Sequence, residues 1–432
     1  MSILSLDVAT SAPAIVASRP ALGERVTAAA MVFFLAYSTP SQWFTEQFNA
    51  TAIETDAPPD PLALLIILAF GGFFATRMTG NWKAAWWTVR SDHLLWVFLS
   101  FLALSSLWSA NPLQTIREAI VLLIVAFWGI YLVCRFNLRQ IVSIVAAGMA
   151  VGVLLDLIWV VALPRFGETS LGWSGVHDNK NGLGRIQVLG ASSMIFNARL
   201  NRRYRLPSYV VAAISVVLAV GSNSKTSLVS LILLLGVMMI VQGFRARKTL
   251  YGAVILAFLT SGIAALGFAT ANLGPITEAL GKDITLTGRT ELWTTLVADM
   301  ARRPFSGWGW NAYWGGYFSP SHEIWVEFNW TPPHGHNALV DYVLEIGVIG
   351  AALFLAMFMR GVVRATRHVQ TIPGPTGLWP LAMFAFAFLF SITEKGVITR
   401  SAFFLVLVVA SATASINSQG KDERSRDDQV LP

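Results

Sequence analysis

The sequence predicts an all-α, polytopic integral membrane protein, and three observations carry that expectation. Apolar residues make up 55% of the 432-residue chain. Charged residues make up only 13%, where soluble domains carry about 25%. Apolar runs of about 17–25 residues, each long enough to cross a bilayer, recur from end to end. Only helices or closed barrels satisfy their backbone in lipid, and these runs have helical length. A single cysteine, Cys134, excludes a disulfide framework and a thiolate metal cluster.

About twelve spans are expected, at 27–44, 61–76, 92–109, 117–134, 140–163, 183–198, 207–221, 226–242, 249–269, 337–359, 376–392 and 400–416. Residues 1–26 lack the charged-then-apolar order of a cleavable signal and read as a cytoplasmic tail. Residues 27–416 form the transmembrane domain, and 417–432 a second cytoplasmic tail. Basic residues fix the orientation. Arg77, Lys83, Arg90, Arg135, Arg139, Arg199, Arg202, Arg203, Arg205, Arg245, Arg247, Lys248, Arg360, Arg364 and Arg367 fall in loops on one side. The opposite first loop, Glu46 to Asp60, is acidic and has no Lys or Arg.

The tail residues Arg19, Arg25, Lys421, Arg424 and Arg426 share that side; the other eleven cations fall on the outer side, and four polar knots hold the informative ones. Trp173 to Arg185 opens the sixth span and contains His177, Lys180, Asn181 and Arg185. Gly221 to Ser227, with Lys225, opens the eighth. Thr287 to Glu291, with Arg289, lies in the largest loop, and Thr393-Glu394-Lys395 joins the last two spans. The first two knots place a cation and small residues at helix N-termini, where free N–H groups and the dipole favour phosphate. Ordinary capping and turn chemistry is the plainer reading of each alone.

The largest outer loop, about 271–336, should contain a short amphipathic helix at Leu292–Ala301. After it comes Pro304-Phe305-Ser306-Gly307-Trp308-Gly309-Trp310. Trp308 and Trp310 are candidate sugar platforms, and an interfacial aromatic belt is the alternative. The loop runs into Pro333-His334-Gly335-His336-Asn337. Asn337, Asp341 and Glu345 recur every four residues and form one polar stripe on the tenth span. Glu345 lies roughly 12–14 Å into that helix from His336. A carboxylate there costs about 2.5–3.5 kcal/mol to insert, so a cavity, a cation or a bound substrate must offset it.

With these residues in view, the chain resembles the O-antigen ligase / O-antigen polymerase superfamily. Within it, the chain is most similar to succinoglycan-type exopolysaccharide repeat-unit polymerases. The likeness spans about residues 30 to 415. It rests on His336, Asn337, Glu345, Gly347 and Gly350; on Gly288, Arg289 and Trp293; and on Pro304, Gly307 and Gly309. His177, Lys180, Asn181 and Gly184 also match, as do Trp108, Ser109, Pro112 and Arg117. Ser224-Lys225 departs from the Ser-Arg of many members, and Lys lacks the bidentate fork that suits phosphate.

The resemblance implies a GT-C-like membrane fold and a metal-independent, inverting glycosyl transfer without cofactors. Donor and acceptor would be undecaprenyl-diphosphate-linked oligosaccharides, used at the periplasmic face of a bacterial inner membrane. Chain-length regulator and export proteins would be partners, and nucleic acid would not. On this reading His336 is the general base, because an imidazole titrates near working pH. Arg289 clamps diphosphate, helped by Lys225, Arg185, Lys180 and Arg117. His334 is the runner-up base, with a supporting turn residue as its plainer reading; Asp341 or Glu345 orients the imidazole or offsets the cations, and Asn337 opens the helix beside them. No metal ligands of standard spacing are expected. A ligase acting on lipid A-core is the nearest alternative. A secondary transporter is the alternative of another class, although no internal repeat supports it.

Overall fold

The computed structural model describes residues 20–37, 43, 61–79, 82–243, 289–314, 319–328 and 332–430. The side chains of 237–243, 289–290, 393 and 417–430 are not described. The order is α1 (Leu22–Tyr37), α2 (Pro61–Met78), α3 (Trp82–Ser91), α4 (His93–Leu104), α5 (Pro112–Arg135), α6 (Leu138–Ala162) and α7 (Pro164–Gly167). Next come α8 (Lys180–Leu200), α9 (Arg205–Gly221), α10 (Lys225–Gly243), α11 (Arg289–Arg302) and α12 (His322–Phe328). The last are α13 (Ala338–Thr371), α14 (Pro375–Thr393) and α15 (Ala402–Val430).

Among the described residues, six helical segments are long and apolar enough to cross a membrane: Pro61–Met78, Pro112–Arg135, Leu138–Ala162, Arg202–Gly221, Ala338–Thr371 and Pro375–Ile392. Shorter apolar helices cover His93–Leu107, Lys225–Gly236 and Ala402–Ile416. The expected span 249–269, and residues 38–42 and 44 of the span 27–44, lie outside the described residues; the described parts of the other spans overlap helices. The amphipathic helix expected at Leu292–Ala301 is α11. Three helices were not expected, and the first is the single turn α7 after α6. The second is α12, inside the large loop. The third is α3, placed in a basic loop by its Lys83 and Arg90; it buries only Ala85, Thr88 and Ser91. Glu168–Thr169 and Gly172–Trp173 form a two-stranded antiparallel ladder, too short to alter the all-α class.

Helix ends are set by local chemistry. Asn111, Asn137, Asn179 and Asn337 cap α5, α6, α8 and α13 by accepting from free backbone N–H groups. At α6, Gln140 reciprocates and completes a capping box.

Apolar packing joins the long helices into one continuous core, with Trp128, Trp379, Phe98 and Phe404 among its largest buried side chains. α8 packs on α6 and α9, α1 on α6, α5 on α15, and α13 on α4, α14 and α15. The large loop has its own small core of Leu292, Leu296, Tyr313 and Ile324, seated on Leu344 of α13. This seating holds the loop against the first turns of α13, where the polar stripe begins.

Candidate functional site

α13 is not a continuous helix. At Gly347 the backbone takes φ 67 and ψ −179, which breaks it two turns after its start. A break inside an apolar helix strips carbonyls and N–H groups of their partners, and burial makes that costly. The Pro304–Trp310 turn supplies replacements. Trp308 N–H donates to Leu344 O at 3.0 Å, and Gly309 N–H to Glu345 O at 2.7 Å. Val348 N–H donates to Pro304 O at 2.9 Å.

Two glycines make this approach possible. A Cβ on Gly347 would lie 2.2 Å from Phe305 O, and one on Gly307 would lie 2.4 Å from the Glu345 carbonyl carbon. Both also have positive φ, which only glycine adopts freely.

The turn is held from behind by the segment after α4. Ala110 N–H donates to Trp308 O at 2.8 Å, Trp108 Nε1 to Ser306 O at 2.8 Å, and Thr115 Oγ1 to Trp310 O at 2.8 Å. Sequence spacing gave no hint that the Trp108–Pro112 stretch and the Pro304–Gly309 turn form one unit.

The polar stripe is now resolved residue by residue. Glu345 is fully buried, and its offset is a cation: Lys395 Nζ lies 2.7 Å from Oε1. Oε2 accepts from Asn311 N–H at 3.0 Å, and Lys395 also donates to Asn311 Oδ1 at 2.7 Å. Asp341 Oδ1 accepts from Gly335 N–H at 2.8 Å and from Trp314 Nε1 at 2.9 Å, so it folds the loop over the helix start. Its Oδ2 is buried without a hydrogen-bond partner among the described residues. Asn337 spends its Oδ1 on the N–H groups of Leu339 and Val340, and its Nδ2 on Ile392 O at 3.1 Å. Asn337 and Glu345 are thus both engaged by neighbouring protein groups.

His334 and His336 sit side by side, ring centroids 4.3 Å apart. His336 takes φ 53, unusual for a non-glycine residue. Its backbone N–H donates to His334 Nδ1 at 3.1 Å, while His334 Nε2 lies 3.3 Å from Glu394 Oε2. Nδ1 accepts, so Nε2 carries the proton toward the carboxylate. His334 thus has both ring nitrogens engaged. Burial alone would raise the Glu394 pKa, but the hydrogen bond from His334 and the charge of Arg185 hold it below the usual carboxylate value. Ligand atoms of His334, His336 and Glu394 lie within 4.8 Å of one another, a spacing that could hold a cation. Glu394 was recognised in the sequence only as part of a knot, and nothing there tied it to the histidines 60 residues earlier.

The flanking cations divide into two groups. Arg185 stands over the Phe403 ring at 5.3 Å, within electrostatic reach of Glu394 and Asp178. Its Nε is buried and lacks a hydrogen-bond partner among the described residues. The first two knots join: Ser224 Oγ donates to Asn181 Oδ1 at 3.0 Å, and a Cβ on Gly184 would meet Ser227 Oγ at 2.5 Å. Lys225 is exposed beside this junction. Lys180 reaches back to Leu171 O at 3.3 Å.

Other expected contacts are placed differently. Arg117 pairs with its neighbour Glu118 at 3.0 Å. Trp310 is 2% exposed and lies under Lys395, 5.8 Å from ring centroid to Nζ, so it is a wall and not an open sugar platform. Trp308 is covered by Arg303 at 4.4 Å and donates to Asp299 O. Arg289 is the first residue of α11, and its side chain lies outside the described atoms.

The bundle is thus a multi-helix membrane protein with a buried polar site at a broken helix. The comparisons narrow the class. Residues 210–355 match the O-antigen ligase family model. That segment holds Lys225, Arg289, His334, His336, Asp341, Glu345 and the helix break. The chain is also 26% identical, over 299 residues, to the exopolysaccharide production protein ExoQ of Rhizobium meliloti (strain 1021). That alignment covers 66% of this chain and 68% of the relative. The resemblance expected from the motifs is therefore found.

Proposed function

We propose that the protein joins polyprenyl-diphosphate-linked oligosaccharide repeat units into exopolysaccharide at the periplasmic face of the inner membrane. One observation carries the reading. His336 stands where the family-matched loop enters a membrane helix, with its ring beside His334 and within 4.8 Å of the ligand atoms of His334 and Glu394. An acceptor hydroxyl oxygen attacks the anomeric carbon of the donor, and its proton passes to His336. The bond between that carbon and the diphosphate oxygen breaks from the opposite face, so the configuration inverts. The diphosphate leaves with the electron pair. Arg289, Arg185 and Lys225 are placed on this reading to balance its charge.

The relative's name, an exopolysaccharide production protein, supports a polymer product over transfer to lipid A-core. Purified protein mixed with lipid-diphosphate repeat units should lengthen the glycan on its lipid. Transfer to added lipid A-core, without lengthening, would favour the ligase reading. Full activity in excess chelator is expected. Loss that divalent cation restores would instead give the His334–His336–Glu394 group to a metal.

A further inference from the structure

Away from the histidines, at the other end of the bundle, α1, α6, α8 and α9 leave a cavity of about 580 Å³. Its mouth carries Arg25 and Arg139, beside the capping residues Asn137 and Gln140. Its shaft is apolar, with Ala29, Ala147, Ala150, Met194 and Val211. From Asn137 to Ala150 along α6 the shaft runs roughly 20 Å. Between mouth and shaft, Ser143, Asn197, Asn201 and Ser208 hydrogen-bond to one another at 2.8–2.9 Å. These bonds join α6, α8 and α9, and the charged groups that line the cavity are the two arginines.

Neither guanidinium has a carboxylate partner among the described residues. Arg25 Nε is buried and lacks a hydrogen-bond partner there. Elsewhere at this end the buried cations are paired, Arg135 with Glu24 at 2.7 Å and Arg364 with Asp92 at 3.5 Å. A half-buried guanidinium and an exposed one, without carboxylate partners among the described residues and beside an apolar shaft, suit an anion that carries hydrocarbon.

We propose that this cavity binds an anionic phospholipid, its phosphate between Arg25 and Arg139 and an acyl chain along the shaft. The bound lipid ties α1 to the α6–α8–α9 group. The site is independent of the catalytic reading.

The test uses native mass spectrometry of the full chain in detergent, with dioleoyl phosphatidylglycerol and dioleoyl phosphatidylcholine in parallel. Wild type should retain one phosphatidylglycerol in preference to phosphatidylcholine. Arg25→Gln with Arg139→Gln should bind it about 30-fold more weakly, at roughly fivefold per cation. Ala147→Trp, which fills the shaft without touching charge, should also lose it. Arg202→Gln with Arg203→Gln removes the same charge outside the cavity and should retain it. Equal retention of the two lipids, or equal loss in both arginine pairs, would overturn the proposal.

Discussion

At the basic end of the bundle, Asp92 lies 3.5 Å from Arg364 and accepts from Ser411, while Glu24 meets Arg135 at 2.7 Å and Tyr131. These pairs lie away from the break in α13, Arg364 being 17 residues beyond Gly347. At the loop end, Glu345 meets Lys395 at 2.7 Å where α13 breaks, and Asn311 binds both members. Positive φ angles crowd this second region, at Gly307, Gly309, Asn311, His336, Gly347 and Gly396. Buried charge alone therefore does not mark the site. Buried charge joined to a broken helix and a strained loop does, because such backbone persists only where its surroundings over-determine it.

The largest expected effect comes from unpairing each kind of charge. Lys395→Met leaves Glu345 buried and unpaired, and Arg364→Met does the same to Asp92. Each should cost about 3–5 kcal/mol of stability. Only Lys395→Met should also lower polymer formed per folded molecule. Thermal melts and activity normalised to folded protein separate the two. Equal specific activity would dissolve the distinction.

A smaller effect is expected at Glu394. Glu394→Gln weakens a hydrogen bond that involves charge, worth about 1.5–3 kcal/mol, and frees His334 to turn. Activity should fall roughly tenfold to a hundredfold, with the protein still inserted. Glu394 is held below its ordinary value, so its contribution is complete above about pH 4.3, the unfolded value. It is lost only as pH falls through the lower folded value. An activity loss between pH 7 and 5 therefore belongs to an imidazole and should persist in Glu394→Gln.

The smallest effect separates the glycines. Gly347→Ala should destabilise by at least about 1–2 kcal/mol, for a left-handed conformation plus the 2.2 Å approach to Phe305 O. Gly236→Ala, in the helix α10 with no described atom within 4 Å of an added Cβ, should stabilise by about 0.5–1 kcal/mol. The melting temperatures should move in opposite directions.

Much of this architecture was legible in the sequence. Period and length exposed the helices, and the spacing of Asn337, Asp341 and Glu345 showed that a buried carboxylate needed an offset. The identity of that offset was not legible, because Lys395 is 50 residues from Glu345 and meets it only after α13 and α14 pack together. The break at Gly347 was hidden for a similar reason. A glycine in an apolar run reads as tolerated helix until the Pro304–Trp310 turn docks on it. Trp310 looked like a platform because sequence reports an aromatic residue but not its burial. α3 was hidden because Lys83 and Arg90 placed it in a basic loop, although its buried face is only Ala85, Thr88 and Ser91.

The central claim is that His336 takes the acceptor proton while His334 and Glu394 hold it in place. Reconstitute wild type, His336→Ala and His334→Ala in proteoliposomes with lipid-diphosphate repeat units, and follow chain growth from pH 5 to 9. His336→Ala should remain inserted, bind the donor and lose about 10²–10⁴-fold of the rate. His334→Ala should lose clearly less, and the wild-type rate should fall on the acid side. More than about a tenth of the activity left in His336→Ala, above even the smallest loss expected for a general base, would contradict the account.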